Sequence, residues 1–481
     1  MKYETVIGLE VHVQLNTKTK LFCSCSTEFG AEPNTQTCPV CQGHPGVLPV
    51  LNERVLEKAI QAGLAFDCSI NHFSKFDRKN YFYPDLPKAY QISQFDLPIC
   101  KEGVLNIHLD KNGSKQIGIT RIHMEEDAGK LIHSESSQTN ESYVDLNRCG
   151  VPLIEIVSEP DMRSGEEAYQ YLTNLKQILM YVNVSDCNME EGSLRCDANI
   201  SLRLVGQKEF GTRAEIKNMN SFKGVQKAID YEVRRQGRLL DKGERIVQET
   251  RLYNVDEDKT YSMRSKEEAH DYRYFPDPDL VPIVVDDAII ETIRKGLPEL
   301  PEAKRTRFMA DYQLSEEDGK VLTNSLEVAE YFERAVKAYP DNPKKIANWI
   351  MAELMRVLNE EGGDLGKVKV EAEEIGSLVQ RIDTGEVSGK MAKTIFEEMV
   401  KTGDSVKQII ERLGLKQVSD EGELNAVIEK VIQSNPDPVK SYRAGKEKAI
   451  GFLLGQVMKA TKGQANPQVI NKLMKDALSK I

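Results

Sequence analysis

Apolar and polar residues alternate through the first part of this sequence. Between residues 5 and 15, every second side chain is apolar from Ile7 to Leu15, while Glu10 and His12 fall on the opposite side. A period of two predicts a strand with one buried face. Similar runs occupy residues 117–125, 151–157, 194–204 and 211–217, with glycine and proline between them. Together with a helical period at 166–181, they predict an α+β domain on an antiparallel sheet over residues 1–295.

The apolar period lengthens beyond residue 296, where two prolines in 296–301 interrupt the strand pattern. A helix is predicted to start at Asn342, with Pro343 in its first turn, and to bury apolar residues as far as Val357. A second Asn-Pro pair at 466–467 predicts the start of the last helix. We therefore expect a helical domain at 296–410 and a small all-helical tail at 411–481.

The end of the sequence differs from the rest of the chain in its charge. The whole sequence carries a formal net charge of -11, yet residues 436–481 contain nine Lys and Arg against three Asp and Glu, a net charge of +6. Clustered cations bind phosphates, so the tail is predicted to bind nucleic acid.

No apolar run approaches the ~20 residues that cross a bilayer, and residues 1–13 do not resemble a secretion signal. A cytoplasmic protein is expected.

Four of the nine cysteines lie close together in the sequence. Cys23 and Cys25 are separated from Cys38 and Cys41 by twelve residues. Two paired thiolates can complete the tetrahedral shell of Zn²⁺, and four thiolates leave no position open for chemistry. The spacing predicts a structural zinc ion in a reducing compartment, whereas His44 is interpreted as a turn residue.

Charged residues recur on the polar faces of the predicted strands. Glu10 and His12 share one face, Arg195 and Asp197 share another, and Glu215 and Lys217 follow on the next strand, which a short connection predicts to pair as a hairpin. Glu125 and Glu155 end or interrupt apolar runs and so need partners. Carboxylates for Mg²⁺ interleaved with cations for phosphate oxygens are what phosphoryl transfer requires. An exposed network of salt bridges is the alternative interpretation.

Residues 72–88 combine five aromatic side chains with four cations, including Lys79 and Lys88. Rings beside cations suit an unpaired RNA end or an adenine, although a loop packed by its own aromatic residues is an equal alternative.

The sequence contains neither a P-loop nor a GxSxG or Ser-Lys amidase signature. An amide-forming reaction would thus need its nitrogen from another protein.

Several longer motifs carry a resemblance to a known family. They include Val6-Ile-Gly-Leu-Glu-Val-His-Val13, Lys75-Phe-Asp-Arg-Lys-Asn-Tyr-Phe-Tyr-Pro84, His123-Met-Glu-Glu-Asp-Ala-Gly129, Glu190-Glu-Gly-Ser-Leu-Arg-Cys-Asp-Ala-Asn199, Asp271-Tyr-Arg-Tyr-Phe-Pro276 and Lys462-Gly-Gln-Ala-Asn-Pro467. With these motifs the chain resembles the B subunits of aspartyl/glutamyl-tRNA amidotransferases along essentially its whole length.

The resemblance implies an activity and its components. ATP would phosphorylate the side-chain carboxylate of Glu or Asp misacylated onto tRNA, and ammonia from a partner amidase A subunit would displace the phosphate, while a small C subunit would brace the heterotrimer. The resemblance implies Mg²⁺ on Glu10, His12, Glu125, Asp197 and Glu215. Local sequence adds Glu155 to the catalytic residues. We expect Lys79, Lys88, Arg195 and Lys217 to bind ATP.

Two other functions remain open at this level. An ammonia ligase acting on free glutamate or another small acid could use the same charged face, but it would leave the basic tail unexplained. A non-enzymatic RNA-binding scaffold would leave the carboxylates without a role. The sequence does not distinguish Glu-tRNA from Asp-tRNA as the substrate.

Overall fold

The computed structural model describes residues 2–479 except 110–112, 134–140, 264–271, 416–420, 444, 445, 447, 462–464 and 466. The chain divides into two compact units, Met1–Leu300 and Pro301–Ile481. Lys462 and Asn466, which the sequence assigned to tRNA binding and to a helix cap, lie outside the described residues, as does Asp271. No helix of the described residues is long and apolar enough to cross a membrane.

A nine-stranded sheet forms the centre of the first unit, in the order β14-β13-β12-β11-β1-β10-β7-β6-β2. Three smaller sheets accompany it, β15-β4-β5, β16-β3 and β8-β9. The strands are β1 (Tyr3–Gln14), β2 (Ser69–Ile70), β3 (Phe73–Ser74), β4 (Asp77–Asn80), β5 (Tyr90–Ser93), β6 (Cys100–Leu109), β7 (Gly113–Glu126), β8 (Lys130–His133), β9 (Ser142–Asp145), β10 (Pro152–Ser158), β11 (Leu194–Leu204), β12 (Ala214–Lys217), β13 (Glu249–Asn254), β14 (Lys259–Ser262), β15 (Arg273–Pro276) and β16 (Ile283–Val284).

The described residues of this unit form four helices: α1 (Glu53–Ala65), α2 (Gly165–Tyr181), α3 (Phe222–Asp241) and α4 (Asp287–Gly296). Ile7, Leu9, Val11 and Val13 of β1 are buried in one core together with apolar residues of these helices. Asn52, Ser164 and Ser221 each accept a hydrogen bond from a backbone N–H of the first turn, which fixes where α1, α2 and α3 begin. The helices therefore bury the apolar face of the sheet.

The α+β class is confirmed, but the large sheet is mixed rather than wholly antiparallel. Among its described strands, β12 and β13 pair in parallel, while the other neighbouring pairs are antiparallel. The physical reason is the 20-residue helix α3 between β12 and β13. A crossover of this length returns the chain to the same end of the sheet, as a short hairpin connection cannot.

The second unit is helical and contains two apolar cores, one between Phe308 and Ile410 and one between Leu424 and Leu478. Its α-helices are α5 (Pro301–Tyr312), α6 (Glu316–Leu322), α7 (Leu326–Ala338), α8 (Pro343–Trp349), α9 (Met355–Glu360), α10 (Ala372–Asp383), α11 (Gly389–Thr402), α12 (Val406–Leu413), α13 (Glu421–Ser434), α14 (Pro436–Arg443), α15 (Ala449–Ala460) and α16 (Pro467–Ser479). A short 3-10 helix, Leu365–Lys367, follows α9.

Two local predictions change in the structure. Asn342 caps α8 as expected, but a π-helical turn, Ile350–Leu354, interrupts the predicted helix before α9. The aromatic segment 72–88 is not a single loop, because it contributes β3 and β4, and β4 pairs with β5 and with the distant β15. Sequence periodicity could not reveal that partner, which is about two hundred residues away along the chain.

Candidate active site and cysteine cluster

Strand register brings four charged residues into one row across the large sheet. His12 of β1 lies opposite Arg195 of β11 on one side and Glu155 of β10 on the other, and Glu155 lies opposite His123 of β7. Residues that lie directly opposite on neighbouring strands point to the same face and are close enough to interact. The row therefore places an arginine, a histidine, a carboxylate and a second histidine side by side.

Glu125 completes a compact cluster with this row. His12 Nε2 lies 3.5 Å from Glu125 Oε1 and 3.3 Å from Glu155 Oε2, and His123 Nε2 lies 3.3 Å from Glu155 Oε2 and 3.7 Å from Glu125 Oε2. Ligand atoms of His12, Glu125 and Glu155 all lie within 4.8 Å of one another. Two carboxylates and one imidazole are a donor set that fits a divalent cation, with oxygen ligands suited to Mg²⁺.

The electrostatics of this cluster follow from its burial and its opposite charges. Burial alone would lower the pKa of His123, but the negative charge of Glu155 and hydrogen bonding with Glu125 and Glu155 raise it to about 9. Burial alone would raise the pKa of Glu155, but the positive charge of His123 and the hydrogen bond from His12 hold it well below its ordinary value. In the absence of a metal ion, the histidines and the carboxylates therefore stabilise the charged forms of one another.

The other three predicted metal ligands lie along the neighbouring strands. Lys217 Nζ is 2.5 Å from Asp197 and 3.0 Å from Glu215, so the predicted proximity of these two carboxylates is realised through a shared lysine. Glu10 accepts a hydrogen bond from the Asn199 side chain at 2.9 Å. Burial and the negative charges of Glu155, Glu215 and Asp197 raise the pKa of Glu10.

A cavity of about 950 Å³ opens onto this charged face. His12, Glu125 and Asp197 line it, together with three of the four predicted ATP-binding cations, Lys79, Arg195 and Lys217. Lys79 Nζ lies 4.8 Å from the centre of the Tyr272 ring. Carboxylates and cations therefore line the same cavity.

Lys88 occupies different surroundings from the other three cations. It forms a buried ion pair with Glu126 and lines a separate cavity of about 220 Å³ together with Cys41. The structure therefore brings Lys79, Arg195 and Lys217 to the large cavity but not Lys88.

The four cysteines predicted to bind zinc come together in the structure. The sulfur atoms of Cys23, Cys25, Cys38 and Cys41 lie within 4.8 Å of one another. A β-bridge between Thr19 and Ser26 joins the chain on either side of Cys23 and Cys25, and the Cys38 N–H donates a hydrogen bond to Cys41 Sγ at 3.2 Å. Contact with Cys23 lowers the pKa of Cys41 to about 4. Four sulfur donors that converge in this way fit a tetrahedral zinc ion.

Comparisons with known proteins cover the whole chain. The sequence model described as the GatB/GatE catalytic domain matches residues 5–291, and that described as the GatB domain matches residues 330–478. Full-length relatives named as the B subunit of aspartyl/glutamyl-tRNA(Asn/Gln) amidotransferase are 58% identical over 480 residues in Thermoanaerobacter pseudethanolicus and 57% identical over 481 residues in Carboxydothermus hydrogenoformans, each covering 100% of both chains. The chain belongs to this amidotransferase B-subunit family. The expectation that it is an amidotransferase subunit is thereby confirmed.

The sequence did not identify two residues that lie at the site of this B-subunit family member, His123 and Asp127. His123 lies two positions before Glu125 on β7, so the same alternation that selected Glu10 and His12 could have found it. Asp127 follows the strand and is 2% exposed. It accepts hydrogen bonds from Arg195 Nη2 and Gln14 Nε2, each at 2.9 Å. Its partners come from β11 and β1, a convergence that only the fold reveals.

Proposed function

We propose that this chain binds misacylated tRNA and ATP and catalyses the phosphorylation that activates the side-chain carboxylate of the attached Glu or Asp. The product after amidation is Gln-tRNA or Asn-tRNA. The B-subunit family supports the reaction class, since the relatives are named as components of an aspartyl/glutamyl-tRNA(Asn/Gln) amidotransferase. Because this reaction serves protein synthesis, we expect it to take place in the cytoplasm.

The proposed chemistry has two steps. An oxygen of the side-chain carboxylate attacks the γ-phosphorus of ATP, so that an acyl phosphate forms and ADP leaves. Ammonia then attacks the acyl carbon, the bond to the phosphate oxygen breaks, and the ammonium nitrogen loses a proton as the amide forms. The first step needs phosphate charge to be neutralised and the two reactants to be aligned.

Charged residues in and beside the large cavity suit these requirements. We assign the binding of Mg²⁺ to Glu10, His12, Glu125, Asp197 and Glu215, with Glu155 as a further catalytic carboxylate. When bound, Mg²⁺ would neutralise phosphate oxygens and orient the nucleotide. Arg195, Lys217 and Lys79 supply the fixed positive charge for phosphate oxygens or the substrate carboxylate. The observation that carries the proposal is the cluster of His12, Glu125 and Glu155, because His12 and Glu125 line the same cavity as these three cations.

Other parts of the reaction are assigned to partners and to the tail. We propose that an amidase A subunit supplies ammonia, since the sequence contains no amidase signature, and that the complex is braced by a small C subunit. We also propose domains at 1–295 for catalysis, 296–410 as a helical domain and 411–481 for binding the body of the tRNA. Exposed Lys440, Lys446 and Lys459 support the last assignment.

The test measures ATP cleavage by the complete complex with no tRNA, with uncharged tRNA, and with Glu-tRNA or Asp-tRNA. We expect cleavage to depend on misacylated tRNA and the amide product to form with ammonium salt in place of glutamine. The variant Glu155→Gln should lose ATP cleavage while glutamine hydrolysis persists. The exposed Glu244→Gln serves as its matched control. ATP cleavage stimulated by free glutamate would favour the small-molecule ligase, and tRNA binding without ATP cleavage would favour the scaffold.

A further inference from the structure

Lys20 is a fully buried lysine beside the cysteine cluster. It is 0% exposed, and its Nζ lies 2.8 Å from the Gln36 carbonyl oxygen, 3.4 Å from that of Leu146 and 3.7 Å from Cys41 Sγ. Within the described ranges of the chain, no carboxylate forms an ion pair with this ammonium group. Carbonyl oxygens satisfy its hydrogen bonds but do not balance its charge, and an unbalanced buried charge is costly.

The charge of the cysteine cluster depends on whether a metal ion is present. Without a metal ion, four sulfur atoms within 4.8 Å of one another cannot all carry a negative charge, because like charges this close repel. A divalent ion held by four thiolates carries a net charge of two negative units, and this charge would lie next to Nζ. A buried cation beside four converging cysteines is therefore best accommodated when the cluster is a metal tetrathiolate.

We propose that Lys20 is an outer-sphere residue of the zinc centre, and that its fixed positive charge beside Cys41 retains the metal by compensating the tetrathiolate. The residue does not bind the ion itself. It also ties the cluster to the rest of the domain, because the same ammonium group donates to carbonyl groups of the cysteine loop and of the segment that precedes β10. Charge compensation and attachment of the loop thus reside in one side chain.

This arrangement has unequal consequences for the metal-bound and metal-free protein. With zinc present, replacing Lys20 by methionine removes the positive charge that compensates the tetrathiolate. Without zinc, the cluster carries less negative charge, so the same replacement should change the stability of the metal-free protein less than that of the zinc-bound protein. A side chain needed only for packing would affect both forms equally.

The experiment uses the full-length chain and the variants Lys20→Met, Lys20→Gln and, as a matched control, Lys18→Met at an exposed position of the same segment. Zinc content is measured after purification, and the rate of zinc transfer to an excess of a chromogenic chelator is followed by absorbance. Loss of outer-sphere partners typically weakens metal binding by about 10–100-fold, so we expect at least ~10-fold faster release from both Lys20 variants. Lys18→Met should match the wild type.

Thermal unfolding with and without zinc provides the second measurement. The increase in Tm on adding zinc should be smaller in Lys20→Met than in the wild type, so the two metal-free Tm values should differ less than the two zinc-bound values. Wild-type release rates in Lys20→Met would overturn the proposal. Wild-type rates in Lys20→Gln alone would show that a hydrogen bond suffices without the charge. An equal loss of Tm with and without zinc, or an unfolded variant, would show a packing role instead.

Discussion

The pKa of His123 is the most direct measure of the charge balance in the His12–Glu155–His123 row. Because that pKa rises from an ordinary value of 6.5 to about 9, the protonated form is favoured by on the order of 3 kcal/mol at ~1.4 kcal/mol per unit. A raised pKa stabilises the folded chain fully below about pH 6.5 and loses that contribution as the pH rises through 9. Glu155 is the main source of the increase, so Glu155→Gln should bring the pKa of His123 back toward 6.5 or below.

Ring-labelled histidine allows this pKa to be measured by NMR, since the chain contains only seven histidines. The full-length chain is titrated from about pH 5.5 to 10 with a chelator present, and His123→Gln identifies the resonance. We expect an inflection near pH 9 in the wild type and in the exposed control Glu244→Gln, with a clear downward shift in Glu155→Gln. An inflection within about half a unit of 6.5 in the wild type would refute the electrostatic reasoning.

Three further changes have expected outcomes. Glu232 of α3 is 0% exposed and forms ion pairs with Arg235 and with the buried Arg251. The variant Glu232→Leu should therefore lower the free energy of unfolding by about 3–5 kcal/mol, because it leaves buried Arg251 without this partner. Hydrogen exchange of the first unit measures this loss, and unchanged exchange would contradict it. Cys25→Ser should abolish zinc binding and lower Tm more than it lowers turnover of the folded fraction, and a folded but inactive variant would argue for a catalytic metal. Deleting residues 436–481 should raise the Michaelis constant for tRNA and flatten its salt dependence while glutamine hydrolysis persists; unchanged affinity across salt concentrations would exclude a tRNA-binding tail.

Strand alternation was enough to predict most of the central sheet and the face on which its charges lie. The period of two selected residues 5–15, 151–157 and 194–204, and the structure has strands at β1, β10 and β11. It also placed Glu10 and His12 opposite the apolar core. A local pattern of this kind reports which face a residue occupies, because neighbouring side chains on a strand alternate.

The alternation of apolar and polar residues could not predict strand register or crossover connections. That Glu155 pairs with both His12 and His123 depends on which strands are neighbours, and no single-strand pattern contains this information. The parallel pairing of β12 with β13 depends on where α3 returns the chain, and β15 reaches β4 from a distant segment. Lys88 looked equivalent to Lys79 by composition, yet the pairing with Glu126 draws it to a different cavity.

The row of Arg195, His12, Glu155 and His123 lies within strands of the central sheet, whereas loops form much of the rim of the large cavity, including residues 27–31 and 189–192. Hydrogen-bonded strands fix the row, because a slip of one residue would turn its side chains into the core. The rim has no such constraint, so insertions and exchanges there can change the shape of the cavity mouth while the charged row keeps its spacing. For the proposed reaction, we expect chimaeras that exchange only the rim loops to alter the choice between Glu-tRNA and Asp-tRNA and to leave the charged row intact.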